Sequence, residues 1–445
     1  MTSPDRPIIT LTGVAHGGEA VGRDGDLVAF VGLGLPGERV SAEIFERKPR
    51  YVRGRVVEVL DPSPARVTPP CPIFGTCGGC HWQHAAYPAQ LTLKTQVLRD
   101  QLARLGGFAD PPVDEAVASP REWEYRNTVQ FVPGALDAGG RPVVSRSRAA
   151  ASGRLLCFQR AHSHEPVPVE RCFISDELIT RTIHEGAWAE LDDRTWRNLE
   201  SIQVRVVPGG AVQITLAGDR PPPREALRRF VEATRRRLPE LAGVLTTQKR
   251  GGAPSCFWGA ASLTYSVAGY RLAVPADAFI QVNLGLTERI VARLTEWLAP
   301  SKDDIVLDAY AGAGTLTLPL ATRAGAVIAI ESHSPAAAAL ADNAAQAGLT
   351  NVAAQSVSVE LGLRRLEGRI DLAVLDPPRR GCSERALDDL LRLRPRKIAY
   401  VSCEPSTLAR DLRRLAGRYD LVSSSVFDMF PQAYHLESVS LLQVR

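Results

Sequence analysis

Apolar and polar positions alternate in short runs at the start of the chain. ITLTGVA, GDLVAFVG, RVSAEIFER and VRGRVVEVL are β-rich and separated by the Gly- and Pro-bearing turns HGGEAVGRDG and LGLPGE. Four or five such strands before residue 60 predict a small barrel of the OB type. DPSPARVTPP, with four Pro in ten residues, reads as a linker. QLTLKTQVLRDQLARLG then places apolar residues at helical spacing and stops at Gly106-Gly107, which predicts a helix over 90–106. Residues 110–270 are less regular. NTVQFVPG, SIQVRVVP and AVQITLAG read as strands and PREALRRFVEATRRRL as a helix, so a mixed α+β region is expected.

From about residue 275 the pattern becomes strand, helix, strand, helix. The strands are DIVLDAYA, AVIAIES, NVAAQSVS, DLAVLDPP and KIAYVSC, with helices expected at 315–323, 335–347, 384–393 and 405–416. YDLVSSSVFDMF and HLESVSLLQV close the chain as two adjacent strands. Alternation of this kind marks a doubly wound, Rossmann-like parallel sheet. The expected organisation is therefore α/β: a barrel over 1–66, a central α+β domain over 67–274, and a Rossmann-like domain over 275–445. Helix 90–106 belongs to the central part by position and is free to pack on the last one.

The chain has 445 residues, 45% hydrophobic and 23% charged, the balance of a globular protein and not of a disordered one. No run of 18 apolar residues suggests a membrane span, and MTSPDRPIITLTG does not resemble a secretion signal. A cytoplasmic location is expected, with no membrane and no obligate protein partner. The net charge of +4 permits a polyanionic partner without demanding one. Arg outnumbers Lys 48 to 5. Arg suits phosphate and base recognition, but a GC-rich genome accounts for most of this skew. Eight Cys in a chain of this length without an export signal do not make a disulfide scaffold.

The candidate chemistry begins with the loop AGAGT after DIVLDAY. Gly312 and Gly314 give a tight strand-to-helix turn with free N–H groups. The third Gly of the dinucleotide fingerprint is absent, which argues against NAD or FAD. Glu331 ends the next strand, where a carboxylate can accept both hydroxyls of a ribose. Together these suit S-adenosylmethionine. Asp376, in DPPRRG after the fourth strand, is expected to face the same crevice. Cys403 closes the fifth strand in VSCEP. A helix beginning near 405 could lower its pKa, and a small buried residue would look the same. His435 and Glu437 stand two apart at the start of the last strand, where either could serve as a base.

Gln281-Val282-Asn283, DAYAGAGTLTLPLA, DPPRRG, SCEPSTLARDL and FDMFPQAYHLES occur in that order. The set resembles the RNA uracil-5-methyltransferase family, and the N-terminal barrel resembles a TRAM domain. With the cysteine cluster, the resemblance covers nearly the whole chain. It implies S-adenosylmethionine as methyl donor, Cys403 as nucleophile and Glu437 as base, with His435 an orienting neighbour. Gln281, Tyr310, Gly312, Gly314, Glu331 and Asp376 fall where the family contacts cofactor or target base. Where the family tends to carry an acidic residue on the adenine side, this chain has QSVSVE, with Ser358 and Glu360 as substitutes. Thr315 stands where some relatives have Asn. Two rival readings are cytosine-5 methylation of RNA, and a non-catalytic RNA-binding or iron–sulfur protein on the same scaffold.

Cys71, Cys77 and Cys80 form C-x5-C-x2-C, and Cys172 follows in PVPVERCFIS. Four thiolates from two segments can hold an iron–sulfur cluster or a tetrahedral zinc, and His81 and His84 keep zinc open. The resemblance implies a [4Fe-4S] cluster on these four Cys. Cys157, Cys256 and Cys382 are expected to be small packed residues. RNA, ribosomal or transfer, is the implied partner. RKPRYVRGR (47–55) on the barrel, EWEYRNTVQF and the Arg146/Arg148/Arg154 group are candidate RNA-facing elements, whereas the Arg-rich helix over 224–237 reads as a solvated face.

Overall fold

The computed structural model describes residues 6–248 and 252–445. Strands β1 (Ile8–Val14), β2 (Ala20–Asp24), β3 (Leu27–Gly32), β4 (Arg39–Arg47) and β5 (Tyr51–Asp61) close into a barrel in the order β1-β2-β3-β5-β4. Alternate residues fill it: Ile9, Leu11, Ala20, Ala29, Val31, Val40, Ala42 and Val52. Three alanines among them suit a narrow interior.

Helix α1 (Tyr87–Arg104) starts three residues before the predicted helix and ends two before its end. Pro88 lies in its first turn, where proline is pre-organised for a helix and the missing N–H costs nothing. Val97, Leu98 and Leu102 enter the same core as Leu408, Leu412 and Val426, far along the chain.

The central sheet contains β6 (Thr128–Leu136), β7 (Pro142–Val144), β8 (Ser152–Gln159), β9 (Pro166–Pro168), β10 (Leu199–Val207), β11 (Ala211–Gly218), β12 (Leu241–Gln248) and β13 (Ser255–Gly259). Its order is β13-β12-β11-β10-β6-β8-β9, with β7 on β6. One face is apolar. Helices α2 (Glu177–Glu185), α3 (Asp193–Asn198) and α4 (Arg224–Arg237) cover it through Ile179, Trp196 and Phe230. A hairpin of β14 (Ser262–Val267) and β15 (Tyr270–Pro275) packs Tyr265 and Leu272 against Ala313, Leu318 and Ala336 of the last domain.

That domain runs α5 (Leu284–Leu298), β16 (Ile305–Ala309), α6 (Thr317–Arg323), β17 (Ala326–Glu331), α7 (Ser334–Gln346), β18 (Val352–Ser356) and α8 (Val359–Arg365). It continues through β19 (Leu372–Leu375), α9 (Glu384–Leu393), β20 (Lys397–Ser402), α10 (Pro405–Leu415), β21 (Tyr419–Phe427) and β22 (Glu437–Val444). The sheet order is β18-β17-β16-β19-β20-β22-β21. The first five are parallel, and β22 is antiparallel to both its neighbours. The Rossmann-like architecture expected from the alternating pattern is the one observed.

Two helices of this domain, like α2 and α3 of the central one, lie where none was expected. The Asn283 side chain caps α5 by accepting from the N–H of Leu286. At α8 the apparent strand NVAAQSVS ends early, because the Ser358 hydroxyl accepts from the N–H of Leu361 and caps a helix. Among the described residues, no helix is long and apolar enough to cross a membrane.

Candidate active site

The parallel strands deliver their C-terminal ends to one crevice. After β16 the chain turns through left-handed backbone at Tyr310 (φ 67°), Gly312 (φ 57°) and Gly314 (φ 98°). A Cβ on Gly314 would stand 2.7 Å from Leu318 Cδ1, so the loop can lie on α6 only with glycine there. Glu331, ending β17, fastens the loop: its Oε2 accepts from the N–H of Gly312 at 2.9 Å and its Oε1 from the N–H of His333 at 2.6 Å. Gln281, Asp308, Tyr310, Gly312, Thr315 and Asp376 line one cavity. Asp308 is fully buried. Its Oδ2 accepts from the Thr317 hydroxyl at 2.6 Å, its Oδ1 has no partner, and burial pushes its pKa to about 7. An amide, a tyrosine and buried carboxylates around a glycine turn can hold a ribose and a cationic amino acid tail. Ser358 and Glu360 do not border this cavity. The Ser358 hydroxyl is committed to capping α8, and Glu360 accepts from the Ser383 hydroxyl at 3.0 Å.

Ladder register brings Cys403 and Glu437 together. Ser402 of β20 pairs with Ser438 of β22, so the next position on each strand, Cys403 and Glu437, lies on the same rung at the strand ends. Leu375 of β19 pairs with Ala309 and Tyr400, which sets Asp376 beside them. Burial, and after it the charges of Glu437 and Asp376, raise the Cys403 thiol to about 12, with Arg379 opposing them. The lowering expected from the following helix does not prevail, because a half-buried thiol facing two carboxylates loses more than a helix terminus returns. Burial pushes Asp376 to about 7 and Glu437 well above the ordinary carboxylate range, Asp376 adding to the latter. Each carboxylate therefore resists ionisation while the other is charged.

Cys403 is therefore a thiol in the free protein. Its alkylation by iodoacetamide, followed on its own tryptic peptide, should accelerate about tenfold per pH unit from about pH 7 to 10, as the thiolate fraction does below the pKa. A plateau below about pH 9 would mean that the helix terminus prevails.

Glu437 is reached through residues 428–436, a loop held by distant parts of the chain. The ammonium of Lys94, fully buried on α1, donates to Asp428 Oδ1 at 2.5 Å and to the Phe430 carbonyl at 2.9 Å. The Gln90 amide exchanges two bonds with Gln432, each 2.9 Å. The N–H groups of His81 and Trp82 donate to the Gln432 carbonyl, and the Tyr125 hydroxyl to that of Pro431. His435 lies outside β22, its ring against those of Tyr434 and His81. Burial and neighbouring cations lower its pKa to about 3, so it is a neutral ring at physiological pH. The barrel also reaches this region, through a contact of His16 Nε2 with Glu404 Oε1 at 2.8 Å. Sequence reasoning missed Arg379, although it stands in the DPPRRG motif it had singled out. It also missed Asp308 and Phe279, an aromatic residue 68% exposed on the cavity rim.

Cys71, Cys77, Cys80 and Cys172 line a second cavity of about 350 Å³, whose wall includes Arg379 and His435. Gly78 lets the segment lie against Ala161, whose Cα would be 3.2 Å from a Cβ there. The N–H of Gly79 donates to Cys77 Sγ at 3.4 Å. Among the described residues no three Cys, His, Asp or Glu side chains close on a single ion. Four thiols around a cavity of this size fit a polynuclear group by donor type and room. Cys157 and Cys382 are buried, but Cys256 is exposed, because β13 is a sheet edge.

The basic barrel segment is largely neutralised. Arg47 pairs with Asp24, Arg55 with Glu43, and Arg53 with Glu19 and Glu46. In the central domain Arg146 pairs with Glu200 and Arg154 with Asp193. On α4, Arg228 pairs with Glu225 and Glu232, as a solvated face would.

The family model for tRNA (uracil-5-)-methyltransferases matches residues 264–445, and that for the TRAM domain matches residues 8–57. A protein of Gloeobacter violaceus named as an RNA methyltransferase is 32% identical, the match covering 98% of this chain and 96% of that one. One from Streptomyces avermitilis is 33% identical over 97% of this chain and 96% of that one. In fold, the chain is similar to the crystal structure of Pyrococcus abyssi tRNA (uracil-54, C5)-methyltransferase in complex with S-adenosyl-L-homocysteine. The TM-score is 0.70 at 20% identity, covering 98% of this chain and all of that one.

Proposed function

The chain belongs to the RNA uracil-5-methyltransferase family of S-adenosylmethionine-dependent enzymes, and from that premise we propose that it methylates carbon 5 of a uridine in structured ribosomal or transfer RNA, with Cys403 as nucleophile and Glu437 as base. The observation that carries the reading is the meeting of Cys403 and Asp376, both part-buried, with the buried Glu437 beside the glycine-turn cavity, within the field of the exposed Arg379.

Carbon 5 of uracil is a poor nucleophile, and addition of a thiolate to carbon 6 corrects that. The Cys403 S–H proton passes to water as the sulfur bonds to carbon 6, and the double-bond electrons move toward carbon 5 and the oxygen on carbon 4. A carboxylic acid kept protonated by burial, as the Asp376–Glu437 pair is, can donate a hydrogen bond to that oxygen. S-adenosylmethionine, when bound by Gln281, Tyr310, Gly312, Gly314, Glu331 and Asp376, supplies a methyl group on a sulfonium. Once carbon 5 is methylated, with the one proton of the pair on Asp376, the Glu437 carboxylate removes the carbon-5 proton. Those electrons restore the double bond, and Cys403 leaves as thiolate. Phe279, exposed beside the cavity, offers a ring for the base to stack on. A stacked uridine must leave its helix to reach Cys403, which explains the extent of additional RNA-handling protein.

Cys71, Cys77, Cys80 and Cys172 would hold a [4Fe-4S] cluster, which would tie the segment 71–80 to Cys172 beside Arg379 and His435. No electron transfer is asked of it.

Incubating anaerobically purified protein with labelled S-adenosylmethionine and, separately, unmodified transfer RNA and large-subunit ribosomal RNA tests the reading. Labelled 5-methyluridine from one of them, read by nucleoside mass spectrometry, is the expected result. Label only in 5-methylcytidine, or in neither RNA, would overturn it. Iron and acid-labile sulfide in equal amounts in the same preparation are expected, and zinc alone would overturn the cluster assignment.

A further inference from the structure

The central sheet has a second face that no helix among the described residues covers. Its strands alternate strictly: Val129, Phe131, Ile202, Val204, Ile214 and Leu216 point to the helices, and the residues between them point the other way. Thr128, Gln130, Ser201, Gln203, Arg205 and Thr215 share that opposite face and line a cavity of about 480 Å³. Gln203 is in register with both Gln130 and Thr215, and Arg205 with Thr128.

A sheet face covered by protein is apolar, and one facing bulk water carries charges of both signs. This face does neither. Amides and hydroxyls dominate it, with the Arg205 guanidinium at one end; across the cavity stands the Asp277 carboxylate, which faces the His333 ring at 3.2 Å. Arg205 is only 2% exposed. Its Nη1 donates to the Pro275 carbonyl at 2.7 Å, its Cζ lies 5.9 Å from the centre of the Tyr265 ring, and its buried Nη2 makes no hydrogen bond of good geometry. Leaving a charged donor unmatched is costly, and an acceptor in the cavity removes that cost. The opposite wall is the segment 276–282, and Phe279 and Ile280 border both this cavity and the cofactor cavity. The space is therefore the next room to the one where the target base reacts, and its volume is in the range of small-ligand sites, roughly 300–1,000 Å³.

We infer that this face binds an unpaired ribonucleotide adjacent to the target uridine. The Gln130 and Gln203 amides meet its base edge, and Arg205 meets an acceptor oxygen. The inference rests on the reading of the protein as an RNA uridine methyltransferase, and it adds where sequence preference next to the target is set. Amides in pairs are suited to such a task, since each offers a donor and an acceptor in one plane.

Two measurements test it. Full-length protein is photocrosslinked to short single-stranded random oligoribonucleotides containing 4-thiouridine, and the attached peptides are sequenced. Crosslinks within residues 128–130 or 201–205 are expected, and crosslinks confined to other segments would overturn the proposal whatever the activity. On a methylated RNA, Gln130→Ala and Gln203→Ala should each raise KM for RNA about tenfold, with kcat and S-adenosylmethionine affinity held within about twofold. Unchanged KM in both variants, or a loss confined to kcat, would sink the idea even with the methylation reading intact. Failure of wild-type protein to methylate any RNA counts against that reading alone, since crosslinking is scored without turnover.

Discussion

Protein with Cys403 replaced by alanine is expected to bind S-adenosylmethionine and RNA and to produce no 5-methyluridine. Nothing else in the crevice can replace it. Asp376 and Glu437 are oxygen nucleophiles whose charge is suppressed by burial, and Cys382 is buried beside the Tyr400 hydroxyl. Loss of the nucleophile should lower turnover by at least about four orders of magnitude. It should also abolish the denaturation-stable adduct formed with RNA carrying 5-fluorouridine, where the fluorine blocks the final elimination. Cys403→Ser makes the comparison stricter, because it keeps the size of the side chain and exchanges sulfur for a poorer nucleophile. The half-buried site tolerates both changes, so thermal melting should move little. Undiminished turnover in either variant would remove Cys403 from the reaction.

The second large effect concerns Glu437→Gln and has the opposite signature. The amide keeps the shape and cannot take a proton from carbon 5. It also removes a group that raises the Cys403 thiol, so the thiolate forms at lower pH and addition to carbon 6 should proceed at least as readily. The final step should slow by about 10²- to 10⁴-fold. A burst of one methyl group per protein followed by a stalled covalent complex with ordinary RNA is expected, visible as a shifted band on a denaturing gel. Free product at the wild-type rate would show that another group takes the proton. A folded variant with neither burst nor adduct would move the role of Glu437 to an earlier step.

Much of this was legible before any coordinates. The alternation after residue 275 specified the parallel sheet, because each strand buried on both faces is a short apolar run and each connecting helix shows its own period. The glycine turn, Asp376, Cys403 and Glu437 were legible because strand ends in such a sheet share one crevice. The misses have physical causes. Helix α8 was hidden because VAAQSVSVE alternates like a strand, and only the Ser358 cap turns it. The direction of the Cys403 shift depends on burial and on carboxylates 27 and 34 positions away, which no local reading weighs. Nothing in the local sequence marks Lys94, and only the fold shows it sealed against Asp428.

That last contact bears on how such an enzyme can be divided or recombined. Lys94 and Asp428 lie 334 positions apart, and Gln90 and Gln432 are separated by 342. A gene fragment starting near residue 275 would encode the glycine turn, Cys403 and Glu437, and would still leave Asp428 facing the space from which its cation had been cut. The same cut uncovers the apolar side chains, Leu408, Leu412 and Val426 among them, that share a core with Val97, Leu98 and Leu102 of α1. The reacting domain is thus no cassette that evolution or an engineer can lift onto another RNA-binding platform. A productive chimera must carry α1 with it, so inheritance of the chemistry follows the contacts of one helix and not the order of the domains.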